Sequence, residues 1–79
     1  MGKREQNERK YEQWITKDDG GRIYVYEVKG KSGWFAKYIK EVDSSETTIS
    51  FRQEILNDLG ELVEIHEKYP IDKGHKKIV

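Results

Sequence analysis

Apolar and polar residues alternate along this chain in short segments that are separated by clusters of turn-forming residues. The clusters lie at residues 18–21, 30–33, 43–46 and 57–60, and they begin 12 to 14 residues apart. This spacing is typical of consecutive hairpins, and the segments between the clusters are rich in the β-branched and aromatic residues that favour a pleated sheet. The pattern therefore predicts antiparallel strands over 22–29, 34–42, 47–56 and 61–69, with Pro70 ending the last of them.

The last predicted hairpin sets the strand register. The run from Asn57 to Gly60 suits a type I turn closed by a glycine bulge, in which Gly60 adopts a positive φ. We expect this turn to place Leu56 opposite Leu62 and Ile55 opposite Val63. One face would then be core, and it would carry Ile49, Phe51, Ile55, Val63, Ile65 and Tyr69. The other face would meet water with Arg52, Glu54, Glu64, His66 and Lys68, and a one-residue shift would exchange the two sets.

Two of the predicted strands, 22–29 and 34–42, carry apolar side chains on both faces. A second apolar face implies that another segment covers it or that the sheet curls on itself. The candidates for this cover are the N-terminal residues Tyr11, Trp14 and Ile15 and the C-terminal residues Ile71, Ile78 and Val79.

The N-terminal segment supports two interpretations. Tyr11, Trp14 and Ile15 have helical spacing, yet the turn cluster at 18–21 follows them as it would follow the first arm of a hairpin. We predict a strand over 11–16, and a helix lying on the sheet is the alternative. The fold predicted is all-β, or β-dominated α+β: a single antiparallel meander of about five strands over residues 10–79, curled or barrel-like, behind a mobile or partly helical basic arm of residues 1–9.

Composition narrows the class of protein. The 79 residues leave room for one small domain, and the absence of cysteine excludes disulfides and cysteine-based metal sites. No stretch approaches the roughly 18 apolar residues of a membrane helix, and no apolar run follows the basic N-terminus as in a signal peptide. We therefore expect a soluble, cytoplasmic protein, and its enrichment in Lys and Glu hints at a thermophilic source.

The distribution of charge argues against a strongly basic domain. The net charge is zero, and residues 11–70 carry eight cations and twelve anions, so both ends are mildly basic around an acidic body. A nucleic-acid platform is expected to present a basic face. This balance weakens that interpretation for the body of the domain.

Aromatic residues on the predicted sheet nevertheless suggest single-stranded RNA as a partner, because exposed rings on a sheet can stack on bases. In this hypothesis Trp34 and Tyr38 stack, while five lysines meet phosphates: Lys37, Lys40, Lys73, Lys76 and Lys77. Ordinary core packing is the competing explanation for the rings, because a domain this small has few other large side chains.

Two histidines form the second candidate site. His66 and His75, flanked by Glu64, Glu67 and Asp72, have the chemistry of a general acid–base pair for metal-independent RNA cleavage. Imidazoles can also ligate a metal, but the spacing matches no defined metal motif. The simpler interpretation is that His66 is a solvent-facing strand residue and His75 a tail residue.

The sequence therefore predicts a non-catalytic binding module for another macromolecule, with single-stranded RNA slightly favoured over protein as the partner. One alternative is a small toxin-like ribonuclease that uses His66 and His75. Another is a protein–protein interaction module in which an edge strand adds to a partner's sheet or to a second copy, as a monomer or homodimer. The sequence contains no phosphate-binding loop or dinucleotide fingerprint, and we expect no cofactor, no metal and no membrane partner.

Overall fold

The structure, a computed structural model, describes residues 3–78 as one helix followed by a sheet. Helix α1 spans Lys3–Lys10. The strands are β1 (Gln13–Thr16), β2 (Arg22–Lys29), β3 (Phe35–Val42), β4 (Thr48–Leu56), β5 (Leu62–Tyr69) and β6 (Gly74–Lys77), with a 3-10 turn at Lys31–Gly33. The prediction of a β-dominated antiparallel meander is confirmed. It has six strands, and the additional one is β6.

Each strand pairs antiparallel with its neighbours in sequence, so the order in the sheet is β1-β2-β3-β4-β5-β6. The prediction of a barrel-like closure is wrong, because β1 and β6 lie at opposite edges and the sheet stays open. Both edge strands have only four residues. In place of closure, α1 covers part of one face.

The turn before β5 has the predicted geometry. Gly60 has φ +80, its N–H donates to the Asn57 carbonyl at 3.0 Å, and the Asn57 N–H donates to the Glu61 carbonyl at 3.0 Å. The Asn57 side-chain oxygen also accepts the N–H groups of Leu59 and Glu61. Leu56 pairs with Leu62, as predicted.

Beyond that pair the predicted register of β4 and β5 is wrong. Ile55 pairs with Glu64, and the register shift leaves Val63 between the two paired positions as a bulge. Ile65 pairs with Glu54, so Ile55 and Ile65 lie on opposite faces of the sheet. His66 shares the face of Ile55, not the face that was predicted to meet water.

The core lies on the face that α1 covers, which we call the inner face. Tyr11, Tyr24 and Val42 are buried, and Tyr26, Tyr38 and Phe51 pack around them. The Tyr11 ring lies 5.6 Å from the Tyr24 ring and 5.3 Å from the Tyr26 ring, measured between centroids. Tyr11 therefore provides the predicted cover.

Of the other residues predicted to cover the sheet, one packs against it and three are exposed. Trp14 packs near the Tyr24 ring with centroids 6.1 Å apart, whereas Ile15, Ile71 and Ile78 are exposed. Val79 lies outside the described residues.

Helix α1 is held on the sheet by a buried carboxylate in the turn between β3 and β4. Glu46 accepts hydrogen bonds from the Arg4 guanidinium, the Asn7 amide and the Tyr24 hydroxyl. An eight-residue helix is marginal alone in water, so these contacts explain why the segment predicted as a mobile or partly helical arm is helical from Lys3 to Lys10. The predicted strand over 11–16 is confined to Gln13–Thr16.

Between residues 3 and 78, no helix is long and apolar enough to cross a membrane.

Candidate nucleic-acid interface

The charged side chains of the strands are distributed unevenly between the two faces of the sheet. Because paired and alternate residues share a face, the strand registers assign each charged side chain. The outer face mixes both signs, with Lys29, Lys37, Arg52 and Lys76 beside Glu27, Glu41, Glu54 and Glu67. The inner face carries Arg22, Lys40, Lys68 and Lys77 but, among strand carboxylates, only Glu64. Among strand residues, cations therefore outnumber carboxylates on the inner face, although Arg22 is paired with Glu8 of α1 at 2.6 Å.

A cleft of about 490 Å³ opens on the inner face where α1 ends. It is lined by Lys10, Tyr11, Lys40, Thr47, Thr48, Phe51 and Tyr69. An adjoining cleft of about 300 Å³ shares Lys40, Thr47 and Thr48 and extends along α1 past Lys3, Gln6, Asn7 and Glu46. Together they form a groove that combines aromatic rings, hydroxyl groups and ammonium groups.

Lys40 is the central cation of this groove. Its ammonium group donates to the Asn7 amide oxygen at 3.0 Å and lies 6.0 Å from the centroid of the Tyr11 ring. Burial lowers the pKa of Lys40, and the nearby charge of Lys10 lowers it further. An anion in the cleft would relieve this crowding of positive charge.

A row of aromatic rings continues from the cleft across the sheet. Tyr26 and Tyr38 are stacked with centroids 4.9 Å apart, and Tyr38 and Phe51 are stacked at 6.4 Å. The Lys68 ammonium lies 5.5 Å from the Tyr38 centroid and 5.7 Å from that of Phe51. Lys68 reaches this face because a second register shift, between Phe51 and Arg52, makes it a bulge residue in β5.

Some of the residues that the sequence suggested for RNA binding lie together on the inner face. Tyr38 and Lys40 both belong to it. Lys37 lies on the outer face, with its ammonium 4.0 Å from a Glu27 oxygen. Trp34 stands in the turn before β3, 43% exposed. The structure therefore separates Lys37 from Tyr38 and Lys40, and Trp34 does not line the cleft.

The three C-terminal lysines diverge in the same way. Lys73 pairs with Glu67 at 3.1 Å, Lys76 lies opposite Ile65 on the outer face, and Lys77 lies opposite Glu64 on the inner face. The segment interpreted as a charged tail is strand β6.

The two histidines meet as a cross-strand pair. His66 and His75 are register partners on β5 and β6, and their ring centroids are 4.4 Å apart. The interpretation of His75 as an isolated tail residue and of His66 as solvent-facing is therefore wrong, since the His66 side chain is only 14% exposed. The Asp72 turn brings them together, because its carboxylate contacts His66 Nε2 at 2.6 Å and accepts the Gly74 N–H at 2.9 Å.

Each histidine has its own carboxylate. The hydrogen bond from His66 lowers the pKa of Asp72, and the Gly74 N–H adds to this effect. On the other ring, His75 Nδ1 lies 3.0 Å from a Glu64 oxygen. Among residues 3–78 no three histidine, aspartate or glutamate side chains are arranged to hold a metal ion.

Sequence reasoning missed several residues of this face, namely Lys10, Tyr11, Thr47, Thr48, Phe51, Lys68 and Tyr69. Lys68 carried no usable signal, because the bulge that turns it toward the inner face depends on pairing with β4. Tyr69 was predicted to share a face with Phe51 and Ile55, as it does, but as a core residue and not as part of a binding site. Tyr11 carried a sequence signal, because it was one of the apolar N-terminal residues expected to cover the sheet.

Comparisons of the chain with protein-family models, with curated proteins and with solved structures find no match. Function is therefore inferred from the geometry of this chain.

Proposed function

We propose that this protein is a binding module for single-stranded RNA and that the RNA lies along the inner face. The observation that carries the proposal is the cleft in which Lys10 and Lys40 stand beside the rings of Phe51 and Tyr69. Proteins that bind single strands combine stacking rings with cations that follow the phosphates.

Two cations of this face, Lys40 and Lys68, have no carboxylate of residues 3–78 within ion-pair distance, whereas Arg22 pairs with Glu8 at 2.6 Å. Lys40 donates to an amide oxygen, and Lys68 lies over the rings of Tyr38 and Phe51. By contrast, Lys37 and Lys73 on other surfaces have carboxylates beside them. Phosphates would therefore meet Lys40 and Lys68 without displacing an acidic partner.

Two features favour an extended single strand of RNA. The rings of Phe51 and Tyr69 lie within a cleft, where splayed bases can stack but the edges of a paired duplex cannot enter. Thr47 and Thr48 add hydroxyl groups to the same cleft, and these can hydrogen-bond a 2′-hydroxyl, the group that distinguishes RNA from DNA.

The charge contribution is tested by a matched pair of variants in β3. Lys40→Gln removes a cation from the inner face, and Lys37→Gln makes the same change on the outer face. Fluorescence anisotropy with a labelled single-stranded RNA of about ten nucleotides, titrated from low to moderate salt, should show weaker binding for Lys40→Gln and a salt slope smaller by about 0.7. Lys37→Gln should bind like the wild type.

The stacking contribution is tested by a second matched pair. Tyr69→Leu should weaken RNA binding by about 1–3 kcal/mol, the usual value of one stacked base. Trp34→Leu removes an equally exposed ring away from the cleft and should leave affinity unchanged. Absence of any salt-dependent binding by the wild type, or equal losses within each pair of variants, would rule out this interface.

A further inference from the structure

We propose that the inner face also cleaves the RNA it binds, with His75 as general base and His66 as general acid. This inference rests on the proposed function, because the RNA must first lie on that face. It is carried by the two rings, which are adjacent on β5 and β6 and each in contact with a carboxylate.

His75 has the geometry of an oriented base. Its Nδ1 lies 3.0 Å from a Glu64 oxygen, and a proton on Nδ1, facing that carboxylate, leaves the lone pair of the neutral ring at Nε2. A carboxylate that fixes the tautomer of a histidine in this way is a common feature of catalytic bases. The side chain is 50% exposed, so Nε2 can reach a ligand on the face.

His66 has the geometry of a proton donor, and in this structure its Nε2 contacts the Asp72 carboxylate. Its Nδ1 is buried without a hydrogen-bond partner, so proton exchange with a ligand must pass through Nε2, which contacts Asp72 at 2.6 Å. The Asp72 side chain is 65% exposed, so a ligand on this face can compete with it for Nε2. A phosphodiester can take the place of this carboxylate, so that Nε2 faces the leaving oxygen.

The two roles fall to adjacent rings, with centroids 4.4 Å apart. Cleavage needs the base neutral and the acid protonated in the same enzyme molecule. The charged groups nearby are Glu64 and Lys68 on β5, Asp72 in the turn and Lys77 on β6, while β4 presents the neutral Gln53. The cleavage rate should therefore have a bell-shaped pH profile.

The reaction needs no co-reactant. His75 Nε2 takes the proton of a ribose 2′-hydroxyl as the 2′-oxygen forms a bond to the adjacent phosphorus. The bond from phosphorus to the 5′-oxygen breaks, and the protonated His66 Nε2 supplies the proton that this oxygen takes. The products are a 2′,3′-cyclic phosphate and a 5′-hydroxyl. The step moves one proton from His66 to His75 without changing the total charge of the pair, and the starting state returns when His75 releases a proton to water and His66 takes one up.

The histidines lie within reach of the same strand of RNA. Gln53 is the register partner of His66 and donates to the Tyr38 hydroxyl at 3.1 Å. From Phe51 to His66 is one strand across and two residues along, or roughly 8 Å from ordinary sheet dimensions. A short oligonucleotide that stacks on Phe51 can therefore place a phosphate at the pair.

The test uses the full chain with an end-labelled single-stranded RNA and with the same oligonucleotide made of 2′-deoxynucleotides. The wild type should bind both and cleave only the RNA, leaving a 2′,3′-cyclic phosphate. His75→Gln and His66→Gln, purified in parallel, should each lose at least about 100-fold in rate. His75→Gln changes a half-exposed side chain, so its melting temperature should match that of the wild type.

Glu64→Gln tests the positioning of His75. Loss of the carboxylate should lower the rate and move the ascending limb of the pH profile to lower pH, a shift that a purely structural role would not produce. Binding of the deoxy analogue without cleavage of RNA would overturn this inference and leave the binding proposal intact. Failure to bind or cleave either oligonucleotide would overturn both, and cleavage that persists in His75→Gln would overturn the assignment of His75.

Discussion

Glu46 is the residue on which the docking of the helix depends. It is a non-glycine residue with φ +66, a conformation that costs about 1–2 kcal/mol for an L-residue. It is also one of the few buried charged groups, 7% exposed. Three donors compensate for both costs, from Arg4, Asn7 and Tyr24.

These donors also determine how Glu46 titrates. Burial alone would raise its pKa, but the hydrogen bonds from Tyr24, Asn7 and Arg4 outweigh burial and lower the pKa below the ordinary value of 4.5. Because the pKa is lower in the folded state than in the unfolded state, the stabilisation is complete above about pH 4.5. It is lost as the pH falls through the folded-state pKa.

We expect Glu46→Gln to lower the free energy of unfolding at pH 7 by about 2 kcal/mol, since an amide cannot accept three donors as a carboxylate does. The difference from the wild type should shrink as the pH falls below 4.5 and through the folded-state pKa of the wild-type carboxyl group. Urea unfolding at pH 7 and at pH 3 measures both values. A difference that stays constant with pH would show that the charge of Glu46 does not hold the helix.

The turn between β4 and β5 is specified by its own residues, in particular by Gly60. Gly60 needs its positive φ, and a Cβ atom added there would meet nothing within 4 Å. Any cost of substitution at Gly60 is therefore conformational and not steric.

Gly60→Ala should destabilise the protein by about 1 kcal/mol, and Gly60→Asn by less, because asparagine adopts the left-handed region more readily. Chemical denaturation with both variants measures these differences. If the two substitutions cost the same, strain at this φ is not the reason for the glycine.

The two bulges in β5, unlike this turn, have no signal in the adjacent sequence. Val63 and Lys68 are ordinary residues within β5, yet the register shifts at these positions change which side chains share a face. The first bulge separates Ile55 from Ile65. The second turns Lys68 and Tyr69 to the cleft together, so the candidate interface depends on how β5 pairs with β4.

The molecule as a whole is an open sheet with a small core at one end. The fully buried side chains are few, and the residues that cover them come from the N-terminal segment. A domain of this size has little stability to spare. Helix α1 adds no apolar side chain, but it buries Asn7 against Glu46 and leads directly into Tyr11, so the core and the groove along α1 both depend on its position.

Removal of residues 1–10 should lower the free energy of unfolding by at least about 3 kcal/mol, because it exposes part of Tyr24 and Val42 and leaves Glu46 without two of its donors. Circular dichroism melting and binding of a hydrophobic dye measure this effect. A shortened chain that melts like the full one would show that the sheet is stable without its helix.

Local interactions explain which parts of this architecture were predictable. The turn at 57–60 needs only Asn57 and Gly60, and the strand segments need only their content of β-branched and aromatic residues, so both could be predicted from a few adjacent residues. The choice between helix and strand near the N-terminus could not, because Glu46, some 40 residues away, provides the acceptors for Arg4 and Asn7.

The candidate site likewise combines features that adjacent residues determine with features that depend on distant contacts. Residue types alone identified Tyr38, Lys40 and the two histidines as chemically capable, because stacking and proton transfer are properties of side chains. Which of them share a face was decided by pairing between strands, which placed Lys37 beside Glu27 and His66 beside His75. Alternation within a strand is a local property, but register depends on contacts between distant segments, and one bulge is enough to reverse it.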